Sequence, residues 1–387
     1  MQKGKFDISR INNSIQEVEL NFNKVDEWFI PRDRVNFYLT HDFHPYFAAY
    51  PPELVSRLLN KYSNKGDIFL DPFMGGGSSI VEGYRLKRNT IGMDISPFAK
   101  FISEVKTNPI KVNDKKILSI LFEIKNDIFN NRLTQFKNFN YKTPKITNID
   151  KWFKKEVQFE LAIILNHLNN IEDESLRKFL LLAFSSIIRK VSNAKNAQQH
   201  VCIARDKKIP NAYLLFEEKV KLMSNQMKEY VLKLGDLKDY KMPELYSHDI
   251  RKMDEIIKPG SVDIIITSPP YGTGSRYTEV NRLNFEWLGL EKPPRGTTLE
   301  STNDFKNELK KGIEKMYVVL KKGGYCFVVY GDPSTEDSLT RIAIRDALDV
   351  GFKYNGLISC PIEKTISNHH EKYRRFIPKD FILIFKK

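Results

Sequence analysis

Asp67-Ile68-Phe69-Leu70-Asp71-Pro72-Phe73-Met74-Gly75-Gly76-Gly77-Ser78-Ser79 is an apolar strand that ends in an acid and runs into three glycines. A helix is predicted from about Ser78 to Arg88, then a second strand, Thr90-Ile91-Gly92-Met93-Asp94, which closes on another acid. Strand, glycine turn, helix, strand and a spaced carboxylate form the pattern of a nucleotide-binding βαβ unit. Glycines let the backbone approach a ligand closely, and the Asp94 carboxylate is placed to take two ribose hydroxyls. The spacing is not the G-x-G-x-x-G of dinucleotide enzymes, and no lysine follows the glycines as a P-loop requires.

Far downstream, the apolar run Val262-Asp263-Ile264-Ile265-Ile266-Thr267 stops at Ser268-Pro269-Pro270-Tyr271. Prolines cannot donate to a sheet ladder, so the strand ends there and leaves polar groups pointing into a cleft. A hydroxyl and a rigid backbone carbonyl can accept the hydrogens of an exocyclic amino group while the tyrosine ring stacks on a planar base. Pro-Pro-Tyr alone reads as an ordinary strand-ending turn. Together with the glycine cluster and the spaced acid it reads as chemistry.

The two motifs resemble those of the amino-methylating DNA methyltransferases that use S-adenosylmethionine. Their cofactor motif is Asp-Pro-Phe-x-Gly-x-Gly and their catalytic motif (Asn/Asp/Ser)-Pro-Pro-(Tyr/Phe), matched here by Asp71 to Gly77 and Ser268 to Tyr271. The segment His44-Pro45-Tyr46-Phe47-Ala48-Ala49-Tyr50-Pro51-Pro52-Glu53-Leu54 is similar to the part of that family lying over the methionine end of the cofactor. The resemblance covers about residues 41–108 and 241–387. It implies an α/β fold, a doubly wound, mostly parallel sheet of the class I methyltransferase, Rossmann-like kind, with a large helical insertion. It also implies that Ser268 and the Pro269 carbonyl accept two amino hydrogens, that Pro270 completes the corner and that Tyr271 stacks on an extruded base. Asp71, Pro72, Phe73, Gly75, Gly77, Ser78, Asp94, Ile95 and Tyr46 form the implied cofactor set. Asp249 joins it near the adenine amino group, although an ordinary turn aspartate also fits that position.

A serine-led catalytic motif leans, in this family, towards cytosine N4, with adenine N6 as the alternative. More remote readings are an RNA methyltransferase and a silent DNA-binding subunit. A restriction-modification setting, with a cognate endonuclease acting separately on the same double-stranded DNA, is the family's usual context. Carbon-5 methylation needs a thiolate, usually in a Pro-Cys pair; here Cys360 precedes Pro361, Cys202 lies in the insertion and Cys326 lies mid-strand.

The chain's 62 basic against 48 acidic residues leave a net charge of +14, a field that concentrates polyanions; a lysine-rich proteome produces the same balance. Three cysteines without paired spacing point to a reducing compartment, and no Cys/His cluster has zinc spacing, so no metal is expected. The first residues lack a signal-peptide core and no apolar run approaches membrane-spanning length, which gives a cytoplasmic expectation. At 387 residues there is room for two domains. Residues 1–108 and 241–387 read as the catalytic domain, and 109–240, helical in period, as an inserted target-recognition region or a cap over the cofactor. Its richest basic stretch, Ile188 to Tyr213, offers Arg189, Lys190, Lys195, Arg205 and Lys207 for phosphate and base contacts. Arg276 and Tyr277 follow the catalytic corner in a glycine-rich basic loop suited to closing over a flipped base. Phe376 to Phe385 reads as an antiparallel edge strand.

Overall fold

A computed structural model describes residues 25–28, 38–46, 51–137, 139–196, 201–204, 206–235, 240–270, 277–293, 305–330, 339–361 and 379–387. Its centre is an eight-stranded sheet of β1 (Val25–Glu27), β2 (Ile68–Asp71), β3 (Asn89–Asp94), β4 (Glu244–Ser247), β5 (Val262–Thr267), β6 (Leu320–Tyr330), β7 (Lys353–Pro361) and β8 (Lys379–Lys386), in the order β1-β7-β8-β6-β5-β2-β3-β4. Every pairing is parallel except the two made by β8. The expected doubly wound α/β sheet is therefore present.

One expectation is corrected. β8 is antiparallel but not at an edge, because it lies between β6 and β7. Its run Phe381-Ile382-Leu383-Ile384-Phe385 is buried throughout, as an interior strand covered on both faces requires. The edges are β4 and the three-residue β1, from a stretch where no periodicity announces a strand.

The helices are α1 (Pro52–Tyr62), α2 (Ser78–Arg85), α3 (Pro97–Thr107), α4 (Asp114–Leu133), α5 (Lys155–Asn169), α6 (Glu174–Val191), α7 (Ala212–Leu234), α8 (Arg282–Leu288), α9 (Phe305–Val319) and α10 (Leu339–Val350). Local signals set many of their ends. Proline opens α1 and α3, while Ser96, Asn113, Asp173 and Asn211 accept backbone N–H bonds at the starts of α3, α4, α6 and α7. The end of α2 comes at Arg85, earlier than its sequence suggests, since Lys87 turns left-handed at a φ of 65° and Arg88 N–H returns to the Gly83 carbonyl.

Among the described residues the insertion shares its core with the helices beside the sheet. One apolar cluster joins Val81, Tyr84, Phe98 and Ile102 of α2 and α3 to Leu161, Phe179 and Met227 of the inserted helices and to Phe285 and Trp287 of α8. A second cluster fills the opposite face of the sheet, beneath α9 and α10. The chain runs from β2 outward to β3 and β4, then returns to β5 on the other side of β2. That reversal is a topological switch point, where open α/β sheets leave a crevice beyond the carboxyl ends of the strands.

Candidate active site

Both motifs sit at that crevice because their strands are parallel neighbours, Phe69 pairing with Ile264 and Leu70 with Ile265. Asp71 ends β2 and is fully buried. Its carboxylate accepts from Phe73 N–H at 3.0 Å, from the Ser79 hydroxyl, and from the Thr267 hydroxyl at 2.8 Å. Asp71 thus ties the glycine turn, the start of α2 and the end of β5 into one unit. Its carboxylate serves the scaffold of the glycine turn.

The glycine turn is stitched to β3 by Met74 N–H on the Met93 carbonyl at 2.9 Å and is closed by Gly77 N–H on the Met74 carbonyl at 2.8 Å. Gly75 and Gly77 have left-handed φ values of 48° and 76°, which side chains rarely adopt. Their missing Cβ atoms also make room for neighbours. A Cβ on Gly76 would lie 2.6 Å from Tyr46 Cβ, and one on Gly77 would lie 2.5 Å from Ser103 Oγ. Close approach at this turn is therefore used by the chain itself, with Tyr46 packed over Gly75 and Gly76.

Asp94, at the end of β3, accepts Gly75 N–H at 3.0 Å on one oxygen and Ser96 N–H at 2.9 Å on the other. Burial raises its pKa to about 6, against the lowering effect of those two bonds, and Asp71 adds to the rise. Each oxygen keeps a second lone pair, so the carboxylate can still accept two hydroxyls. Ile95 follows it, and its carbonyl accepts from the Ser247 hydroxyl at 3.2 Å. Pro72 and Ser78 are buried, and Phe73 is partly exposed.

Asp249 stands just beyond β4, where His248 N–H reaches the Asp94 carbonyl at 3.0 Å. Its side chain caps a short helical turn and forks onto the Arg251 guanidinium, which also holds Glu308. Its side chain is thus engaged as that of a turn aspartate.

At the Ser268-Pro269-Pro270 corner, β5 ends at Thr267 as the prolines require. Ser268 is partly exposed, and its hydroxyl donates to the Val329 carbonyl at 3.3 Å. With the proton so directed, the oxygen lone pairs are left for an incoming N–H donor. Pro269 is buried and Pro270 partly exposed. Tyr271, Arg205 and Arg276 lie outside the described residues; Tyr277 begins a short helix, Tyr277–Val280.

The basic stretch of the insertion divides in two. Lys190 is exposed and Lys195 partly so. Arg189 and Lys207 instead brace the chain. Arg189 donates to the carbonyls of Lys195 at 2.8 Å and Val280 at 3.4 Å, and Lys207 Nζ donates to those of Arg189, Ser192 and Ala194 at 2.8, 2.9 and 2.7 Å. Burial, with Arg189 nearby, lowers the Lys207 pKa to about 8. Between these braces Ala194 bridges Ile203 in antiparallel fashion.

Sequence reasoning missed several supports. Thr267 was hidden inside its strand. Lys106, which looks like a solvated helix charge, is buried and donates to the Gly76 carbonyl at 2.9 Å, with burial and then Lys219 lowering its pKa to about 7. Glu82, fully buried on α2, gathers His41 at 2.9 Å, the Tyr38 hydroxyl at 2.9 Å, Arg85 at 2.6 Å and the Ser56 hydroxyl. His44 contacts the Ser185 hydroxyl at 3.1 Å, so the segment preceding Tyr46 is fixed against the insertion. Apart from the Glu82–Arg85 pair, three residues apart on α2, no local pattern signals these, since the partners are distant in sequence.

Among the described residues no three His, Cys, Asp or Glu side chains gather to hold a metal ion, and no helix is long and apolar enough to cross a membrane. Cys326 and Cys360 are buried and Cys202 is exposed. Burial pushes the Cys326 thiol up, away from the thiolate form.

Comparison with known proteins agrees with this geometry. A DNA methylase family model matches residues 5–105. The chain is similar to Type II methyltransferase M.MvaI of Kocuria varians, at 30% identity over 65% of this chain and 58% of that protein. It is similar to Type II methyltransferase M.MjaII of Methanocaldococcus jannaschii, at 25% identity over 72% of this chain and 67% of the relative. M.BsoBI of Geobacillus stearothermophilus matches at 24% identity over 70% of this chain and 58% of its own length. The chain thus spans about three fifths to two thirds of these relatives. Residues 5–105 match the DNA methylase family, and the chain is similar to Type II methyltransferases.

Proposed function

We propose that the protein transfers a methyl group from S-adenosylmethionine to an exocyclic amine of double-stranded DNA, with N4 of a flipped cytosine as the target and adenine N6 as the alternative. The observation that carries this reading is the Thr267–Asp71 hydrogen bond, 2.8 Å long, which holds the cofactor turn and the catalytic corner at one end of adjacent strands. S-adenosylmethionine, when bound, supplies a methyl group on a positively charged sulfur.

The chain's residues account for the rest. Asp94 orients the ribose with its spare lone pairs, Tyr46 covers the methionine side of the glycine turn, and Lys106 holds the Gly76 carbonyl from behind. An exocyclic amine is a poor nucleophile because its lone pair is delocalised into the ring. Ser268 and the Pro269 carbonyl accept its two hydrogens and localise that pair, and this acceptance strengthens as positive charge develops on nitrogen. Ser268 and the Pro269 carbonyl hold the amine while that localised pair takes the methyl group of bound S-adenosylmethionine, and the surplus proton passes to solvent. Tyr271 stacks on the extruded base.

Residues 109–240 take the role of target recognition, with exposed Lys190 and the segments at Ala194 and Ile203 braced by Arg189 and Lys207 facing DNA. A restriction-modification role with a separate endonuclease follows the type of the relatives. Incubation with methyl-labelled cofactor and duplex DNA, RNA or neither, followed by nucleoside mass spectrometry, tests the proposal. N4-methylcytosine in duplex DNA is the expected product. N6-methyladenine selects the alternative, and the absence of label in DNA overturns the reading.

A further inference from the structure

Helix α4 has two apolar faces. Ile117, Leu121, Ile124 and Ile128 are buried against the rest of the insertion. Leu118, Phe122, Phe129 and Leu133 lie on a different face and are 54%, 63%, 59% and 68% exposed. Four large apolar side chains along one solvated helix face are more than the scattered exposure normal for a monomer.

The stripe also has a symmetry. Leucine, phenylalanine, phenylalanine and leucine are spaced four, seven and four residues apart, so the pattern reads the same in both directions about a point between Lys125 and Asn126. A two-fold interface is isologous: the same patch must complement itself. We propose that this stripe is the contact surface of a homodimer, in which α4 packs antiparallel to α4 of a second copy across a two-fold axis between Lys125 and Asn126. In that register Leu118 faces Leu133 and Phe122 faces Phe129, apolar against apolar at every step. On one flank Glu123 of each copy comes within reach of the Asn126 amide of the other. On the opposite flank the two Lys125 side chains meet beside the axis, their ammonium groups in solvent.

Two properties follow. The patch is small beside the roughly 20–30 residues a side of a standard interface, so the dimer dissociates at micromolar concentration. Salt screens the Lys125 pair, so added salt tightens the dimer while it weakens phosphate contacts to DNA.

Sedimentation velocity of the full chain from low to high micromolar concentration is the first test. A shift from monomer to dimer that grows with salt and disappears in Phe122→Asp is expected. Lys125→Gln should tighten the dimer, a gain that misfolding cannot mimic. Register is tested with a short bismaleimide in a Cys202→Ser background. Asn126→Cys should cross-link to its own copy. Leu118→Cys alone should not, because the two sites stand roughly 22 Å apart along the pair, whereas Leu118→Cys with Leu133→Cys should. A monomer at every concentration, a dimer indifferent to Phe122→Asp, or efficient cross-linking of Leu118→Cys alone overturns the proposal.

Discussion

Thr267 and Asp71 are joined by a 2.8 Å hydrogen bond between side chains that are both fully buried. Thr267→Val keeps the shape of the strand but leaves the Asp71 carboxylate one donor short. An unsatisfied buried acceptor costs about 1–3 kcal/mol, so urea denaturation should show a loss of that size. Thr267→Ser should recover most of it. Methyl transfer should fall with Thr267→Val even where the protein remains folded, because the seam aligns the two motifs.

Cofactor affinity should depend on pH through Asp94. Folding raises its pKa from 3.8 to about 6, so the folded chain holds more protons between those values. For Asp94 taken alone, stability therefore falls as pH rises through that window. Binding has the opposite sign, since the ionised carboxylate is the better acceptor for two hydroxyls. Calorimetric titration with S-adenosylmethionine should give affinity that rises from pH 5 to pH 7 and levels above. Asp94→Asn should bind more weakly and lose this dependence.

Glu82 should make the protein acid-labile. Burial raises its pKa, but hydrogen bonds from His41 and Arg85 outweigh that and bring it from 4.5 down to about 2. For His41 itself burial is the largest effect and lowers its pKa, so the pair is best described as an ionised carboxylate facing a neutral imidazole. A depressed carboxylate pKa gives stability that is complete above 4.5 and is lost as pH falls towards 2. Replacing a buried, multiply bonded carboxylate should cost about 3–5 kcal/mol. Chemical denaturation of Glu82→Gln at pH 7 and pH 3 measures both effects, and the variant should show a smaller change between the two.

The two kinds of cation in the insertion should separate by experiment. Exposed Lys190 should act on phosphate, so Lys190→Glu should weaken duplex binding several-fold and reduce the salt slope by about 1. Lys207 acts on three backbone carbonyls. Lys207→Met should loosen the segments at Ala194 and Ile203, seen as faster amide exchange there, with cofactor binding unchanged. Alkylation of exposed Cys202 offers a direct readout, and duplex DNA should slow it.

Tyr271→Ala should lower turnover far more than cofactor affinity. Base stacking on an aromatic ring is worth about 1–3 kcal/mol, so kcat/KM for DNA should fall roughly 5- to 150-fold. Equal losses in turnover and in cofactor affinity would remove the stacking role.

The amino-acid sequence by itself determined strands β2, β3 and β5, the glycine turn, the helix start at Ser78 and the proline stop at Ser268. Each of those depends on neighbours within a few residues: apolar runs, a missing Cβ, a missing N–H. The same locality explains why Val262–Thr267 and Pro97–Thr107 are so legible and why the three residues of β1 are not. Tertiary structure alone decided that β8 lies inside the sheet, that Asp71 meets Thr267, and that Arg189 and Lys207 brace the segments at Ala194 and Ile203. A carboxylate or ammonium carries no mark in the sequence of which carbonyl or hydroxyl it will find after folding. Its role is set by burial and by partners from distant segments, and those exist only once the sheet and the insertion have packed together.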